Sequence, residues 1–365
     1  MADYNLTKMA LNMFCPGNEV KLDDAGLPSV MVWIPAFKNS DVLTGGDDNI
    51  HPAFIVNGKQ IPGFYFSKYE NVVHDGKAYS LPAEAPQRSI SFDASRESCE
   101  NKGYGWHLST AAEWAAIALW CKKNGHLPYG NTYYGKDNRE NSYKAIPVST
   151  LDDGKTGVVA TGTGPLAWSH DGTVSGIWDM GGNLSEWQGG IRLVWGELQI
   201  LANNDAADPD NPQNQTSVCW KAINAADGSL VDPENSVSDT AVKESGATVK
   251  LDNISDNWTF STNITSATNA SRSCLFGNVT CDGTIGAATK VLLRALALLP
   301  DEGASVSDYE DDYMYWNNTA AECNVQRGGT YAYGKLGGIF CINGSNKGAY
   351  TSSQLGLRAS YIPYM

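Results

Sequence analysis

No window of the chain approaches the ~20 consecutive apolar residues that span a bilayer. The opening MADYNLTKMALNMF has no charged segment leading into a long apolar one, so a soluble, unprocessed chain is expected. Basic residues are scarce: 26 Lys and Arg stand against 40 Asp and Glu, for a formal charge of −14. Nucleic acid and anionic membranes are both gripped through clustered Lys and Arg, so neither is expected as a partner. The eight cysteines, at 15, 99, 121, 219, 274, 281, 323 and 341, include no CxxC and no Cys/His cluster at zinc spacing. Most read as buried thiols, with Cys274 and Cys281 able to pair outside a cell. The five histidines, 51, 74, 107, 126 and 170, lie too far apart to form a local metal motif, and no cofactor is expected.

What is present is enough apolar residue, 42% over 365 positions, for a substantial core. The β-branched and aromatic run Pro28 to Phe37 reads as a strand, and IPGFYFSKYENVVHDGKAYS as two more turning at Asp75-Gly76, which begins an antiparallel sheet. A helix is expected over Phe92 to Lys102, capped by Ser91 and ended by Gly103. A second follows in LSTAAEWAAIALWCKKNG. There Thr110 and Glu113 have capping-box spacing, Trp114, Ile117, Ala118 and Cys121 share a face, and Lys122 and Lys123 suit the negative end.

In SGIWDMGGNLSEWQGG, Gly181-Gly182 suits a tight turn, flanked by two strands and anchored by Trp178 and Trp187. From Ala202 to Ala287 the composition shifts to Asn, Asp, Ser and Thr with strand-like alternation, which reads as a β-rich insertion. Its Asn-x-Ser/Thr triplets at Asn253, Asn257, Asn263, Asn269 and Asn278 are read as chance features of a polar β surface. AATKVLLRALALLP, from Ala287 to Pro300, suits a buried helix stopped by proline. The following SDYEDDYMYW lacks EF-hand spacing and reads as a solvated acidic loop.

Four pieces stand in a definite order: VWIPAF, WHLSTAAEW, MGGNLSEW, and QRGGTY with LGLRAS near the end. The series resembles the formylglycine-generating-enzyme family, with its RLPTEAEW-like helix, GNVWEW turn, RGGSW strand and closing GFR. That resemblance implies an α+β, C-type-lectin-like fold over 1–365, with antiparallel sheets, two helices and the β-rich insertion 202–287. The family's enzymes bind copper through two cysteines between the RGG and the GFR. Here only Cys341 lies there and Cys323 precedes it, while His107 and Ala112 replace the family's usual Arg and Glu. A copper oxidase would need Cys323 brought near Cys341. The calcium-binding EPN, QPD and WND signatures of sugar-binding C-type lectins are also missing. Asp179 and Glu186 are candidates to touch a metal, but Asn183 and Glu186 better suit hydrogen bonding within the turn.

The last segment, 324–362, is most similar to the variable cassette of diversity-generating-retroelement proteins, in which selected codons are randomised. Gly328, Gly329, Gly334 and Gly338, with Phe340, Leu355 and Leu357, read as its fixed frame. Thr330, Tyr331, Ala332, Tyr333, Lys335, Leu336, Cys341, Asn343, Ser345, Asn346, Lys347 and Tyr350 obey no single packing chemistry and are expected to be exposed ligand-binding positions. Tyr313, Tyr315 and Trp316 would extend that surface into a paratope-like patch. The resemblance implies a non-catalytic binding protein at a virion or cell surface, forming homo-oligomers and engaging a protein or glycan, such as a host surface molecule. A copper oxidase and a calcium-dependent lectin are the alternatives.

Overall fold

The computed structural model describes residues 5–142, 145–267 and 272–363. It is a mixed α+β structure, mostly sheet. A five-stranded antiparallel sheet runs in the order Asn18–Leu22, Pro28–Pro35, Gly63–Ser67, Ala359–Tyr361, Trp106–Leu108, so the chain's last described strand is paired inside its first sheet. A larger sheet runs Arg272–Leu275, Tyr313–Trp316, Ile342–Asn346, Cys323–Arg327, Ser185–Val194, Glu197–Ile200, Ser245–Ile254, Asn257–Asn263, Thr280–Cys281. It is not wholly antiparallel as expected. Tyr313–Trp316 lies parallel to Ile342–Asn346, and Leu355–Gly356 lies parallel to Ser185–Val194. The chain reaches these pairings through long excursions rather than hairpins, which is what parallel neighbours require.

Five α-helices are described, α1 (Asn5–Phe14), α2 (Asn39–Val42), α3 (Phe92–Glu100), α4 (Ala111–Lys123) and α5 (Ala287–Ala295); the resemblance implied two, α3 and α4, the apolar run from Ala287 gives α5 as read, and α1 and α2 were not expected. α3 has its expected cap, Ser91 Oγ accepting from Ala94 N at 3.3 Å. In α4, Thr110 Oγ1 accepts from Glu113 N at 3.1 Å while Glu113 Oε2 accepts from Thr110 N at 3.2 Å. The same carboxylate meets His107 Nε2 at 2.9 Å, so this histidine secures the helix start. The expected core face of α4, Trp114, Ile117, Ala118 and Cys121, is buried, and burial extends beyond it to every residue from Ala111 to Leu119, Glu113 included. A helix of small Ala residues lets its neighbours approach closely on all sides, so only its last turn, at Trp120, Lys122 and Lys123, reaches solvent.

IPGFYFSKYENVVHDGKAYS makes three strands, because Gly63–Ser67 stays in the first sheet while Asn71–His74 and Lys77–Ser80 form a separate hairpin. Only one strand, Ser185–Val194, adjoins the Gly181-Gly182 turn; before it Trp178 makes an isolated bridge with Ser169. Strands in the polar segment after Ala202 continue the large sheet, with Glu197 opposite Lys250. Within it Asn253 is buried and Asn263 exposed, while Asn269 lies outside the described residues. All eight cysteines are free, so Cys274 and Cys281 are unbonded. α5 ends at Ala295, five residues before Pro300.

Candidate ligand-binding face

The strand Cys323–Arg327 delivers the RGG. Arg327 is fully buried and donates from Nη1 to Ala297 O at 3.1 Å and from Nη2 to Leu296 O at 3.0 Å, the free carbonyls just past α5. A cation suits that negative helix end. Burial without a paired carboxylate pulls the Arg327 guanidinium down to about 9. Gly328 and Gly329 then turn the chain with φ of +89° and +79°. A Cβ on Gly329 would stand 2.9 Å from both Gly337 Cα and the Tyr333 ring. Gly338 is constrained by a close approach, since its Cβ would lie 2.2 Å from Asp312 Oδ1.

Asp312 holds this loop from below. It is buried, and its Oδ2 accepts from Phe340 N at 2.7 Å. Burial pushes its carboxyl up to about 8. Phe340 packs its ring against Phe276 and Tyr309, and Trp114 of α4 donates Nε1–H to Ile339 O at 2.8 Å. The acidic loop is therefore not simply solvated: Asp308 and Glu310 are exposed, but Tyr309 and Asp312 are core. Asp137, Glu310, Asp311 and Asp312 border a recess of about 130 Å³ beside the cassette. Arg139 pairs with Asp137 and Glu310, and Lys335 with Asp311 at 3.2 Å.

The expected exposure of the scattered positions holds in part. Lys335, Leu336, Lys347 and Tyr350 are exposed; Ala332, Tyr333, Ser345 and Asn346 are half-buried. Thr330, Tyr331, Cys341 and Asn343 are buried, which corrects the expectation for these four. The glycine turn is the cause for the first two, because it sends the chain inward beneath the 3-10 turn Gly334–Leu336. Thr330 Oγ1 accepts from Ala332 N at 3.2 Å. Tyr331 packs with Val158 and Leu184, its N–H donates to Asn183 O at 3.1 Å, and its hydroxyl accepts from Gln354 Nε2 at 3.2 Å. Burial raises the Cys341 thiol well above its ordinary range. Asn343 Oδ1 accepts from Ser345 N and Oγ at 3.0 and 2.8 Å. Of the upstream aromatics, Tyr313 meets Tyr333 edge-on at 5.2 Å and Tyr315 follows it, but Trp316 is buried under Gly344.

Five of the expected positions, Thr330, Tyr333, Asn343, Asn346 and Tyr350, converge on one small recess of about 60 Å³, joined by Ser185, Gln326, Ser352 and Gln354. Every polar group named there is neutral. Gln326 is not among the expected binding positions and enters the sequence reading only as the first residue of QRGGTY. It is 3% exposed, and its Nε2 has no hydrogen-bond partner. Asn324, two residues earlier on the same strand face, is 2% exposed with an unpartnered Oδ1. Gln326 lies opposite Asn343 and Asn324 opposite Asn346. The available signal was the polar alternation Asn324-Val325-Gln326 just before the RGG, which puts two amides on one side of a strand.

The copper arrangement is not met. Arg327 pairs with Ile342, so Cys341 sits at one end of this strand pair while Cys323 lies four residues away at the other, about 13 Å at ~3.3 Å per residue. Cys323 instead donates to Asn317 O. Among the described residues no three His, Cys, Asp or Glu side chains converge as a metal site. Asn183 Oδ1 accepts from Asn131 Nδ2 and Val159 N and so serves the turn as expected, whereas both Glu186 oxygens are taken by the distant Arg358 rather than by the turn.

No family model matches the chain, and neither does any curated protein. Among solved structures it is similar to the Major Tropism Determinant P3c variant at 8% identity and TM-score 0.29, and to the I1 variant at 10% and 0.29. The U1 variant gives 9% and 0.28. In each case 94% of this chain and 71% of the other is covered.

Proposed function

We propose that the chain is a non-catalytic binding protein displaying a diversified surface on a C-type-lectin scaffold of the formylglycine-generating-enzyme type. In this reading 1–365 is one domain, 202–287 an insertion in it, and 324–362 the variable cassette. The partner is a host surface molecule, protein or glycan, and the setting a virion or cell surface. The observation that carries the reading is the neutral recess beside Tyr333 and Tyr350, where the buried Gln326 amide nitrogen is left without a partner. An unmade buried hydrogen bond costs about 1–3 kcal/mol, which an acceptor on a bound partner would offset.

Two features suit variation. The frame of the loop is held by Arg327, Asp312 and Phe340, none of which depends on the exposed positions. The outward Lys335, Leu336, Lys347 and Tyr350 have room for other side chains, so the partner can change without the fold changing.

The test is to sequence the coding region from many individuals of the source population, and to assay the purified protein on arrays of glycans and of surface proteins. Substitutions should concentrate at the exposed and half-buried positions between 330 and 350 while Gly328, Gly329, Phe340 and Arg358 stay constant, and Tyr350→Ala should abolish the array signal. A cassette as invariant as α4 would overturn the diversification, and an array signal indifferent to Tyr350→Ala would overturn the site.

A further inference from the structure

α1 is an amphipathic helix with its apolar side in solvent. Leu6, Met9 and Met13 recur at helical spacing and are 72, 59 and 73% exposed, and Phe14 at its end is 76% exposed. Within its own chain α1 meets the Asn18–Leu22 strand and Leu11 is half-buried, yet the side bearing Leu6, Met9 and Met13 stays in solvent. Ten residues fall below the ~12–15 that make an isolated helix even marginal in water. Its first turn also has no acidic residue and its last turn no basic one. Most of the stability of a helix this short comes from packing of its apolar face, and here that face is unpacked.

The chain offers a matching surface. Just past α1, Pro16 and Gly17 border a groove of about 250 Å³ whose walls are mainly apolar, among them Val32, Ile34, Phe37, Ile117 and Trp120. The helix does not fill this groove in its own chain, as the exposure of Met9 and Met13 shows. Charge agrees too. Lys8 is the one charged residue of α1, and Asp171 is the one carboxylate in the groove wall, making no salt bridge among the described residues. His170 beside it is held neutral, since burial lowers it to about 4.

We propose that α1 of one copy lays Leu6, Met9 and Met13 into the apolar groove of a second copy, with Lys8 turned to Asp171. A contact between two different surfaces of the same chain is heterologous and closes into a ring when its rotation permits. A lipid surface is the poorer occupant. Helices that lie on membranes carry several Lys or Arg on the polar face, whereas α1 carries one and the chain has a formal charge of −14.

The experiment is light scattering on the full chain across a concentration series, beside its thermal unfolding. The wild type should associate to a defined multiple of its mass. The double variant Met9→Lys/Met13→Lys, altered only at exposed side chains, should be monomeric with unchanged unfolding of the rest of the chain. Lys8→Glu should weaken association about tenfold, and adding Asp171→Lys should restore it. A monomeric wild type, or an association that survives the Met9/Met13 variant, overturns the proposal. An association lost with Met9/Met13 but insensitive to both charge changes means that helices pair with each other, which overturns the groove as partner. Capture of the monomeric wild type by phosphatidylcholine vesicles assigns the helix to lipid and overturns it as well.

Discussion

Arg358 grips both oxygens of Glu186 with one edge of its guanidinium, Nη2 to Oε1 at 2.7 Å and Nε to Oε2 at 2.9 Å, and neither side chain is exposed. The pair ties the approach to the last strand of the first sheet to the Ser185–Val194 strand of the large one, and Arg358 Nη1 also holds Ser67 O. Glu70 and Asp179 sit close enough for the same guanidinium to act on them, although burial still raises both carboxyls, Asp179 to about 6. One arginine thus serves a buried acidic group beneath the Gly181-Gly182 turn.

Arg358→Lys keeps the charge but loses the fork, leaving Glu186 with part of its hydrogen bonding unmade. A buried hydrogen bond left unmade costs about 1–3 kcal/mol. Urea unfolding should show a loss of that order, with a lower midpoint at unchanged slope. A variant as stable as the parent would mean that the pair contributes little to holding the sheets together.

The frame and the scatter of the cassette should respond differently to alanine. Gly329→Ala forces a side chain into a left-handed backbone at +79° and against Gly337 and Tyr333, so a loss of about 1–3 kcal/mol is expected. Lys347→Ala and Tyr350→Ala, both at exposed positions, should stay within about 0.5 kcal/mol. Denaturant midpoints of the three variants decide it, and similar losses in all three would mean that the outward positions are structural.

The parts of this fold that were legible are those whose signals are local. Ser91, Thr110 and Glu113 mark helix starts by chemistry that needs only neighbours within three residues, and each forms its expected bonds. Asp312 was misread because its burial depends on Phe340 and Phe276, distant in sequence, so a run of acids looked like a solvated loop. Tyr331 and Thr330 were misplaced for the same kind of reason. Irregular chemistry along a segment shows that no periodic face is being packed, but it does not show which side chains the glycine turn folds inward.

Asp312 should make stability fall as pH rises. Its carboxyl, ordinarily at 3.8, is pushed up to about 8 in the native protein. Between about pH 4 and 8 the native state therefore keeps a proton that the unfolded chain has released. A native state that binds more protons loses stability with increasing pH, by up to about 1.4 kcal/mol per unit for one group. Asp312→Asn keeps an acceptor for Phe340 N and removes the titration. The variant and parent should match below pH 4, and the variant should gain progressively up to pH 8. Arg139, Glu310 and Asp137, which also act on this carboxyl, are common to both proteins, so parallel curves across the window would show that Asp312 does not titrate there.

Gln326→Met separates a binding amide from a structural one. The Gln326 Nε2 group is desolvated without a partner, so replacing it by an apolar side chain of similar length removes a penalty and breaks no bond. Stability should therefore stay level or rise, by as much as about 1–3 kcal/mol. An amide that served the fold would show the opposite, a loss of at least about 1 kcal/mol. Binding should move the other way. Whatever partner the arrays identify should lose roughly tenfold or more in affinity, because its acceptor now faces a methionine, while Lys347→Ala at the outer rim changes it less. A protein that gains stability and loses its partner through the same substitution has the signature of a site kept unsatisfied until bound, since fold and recognition then place opposite demands on one side chain.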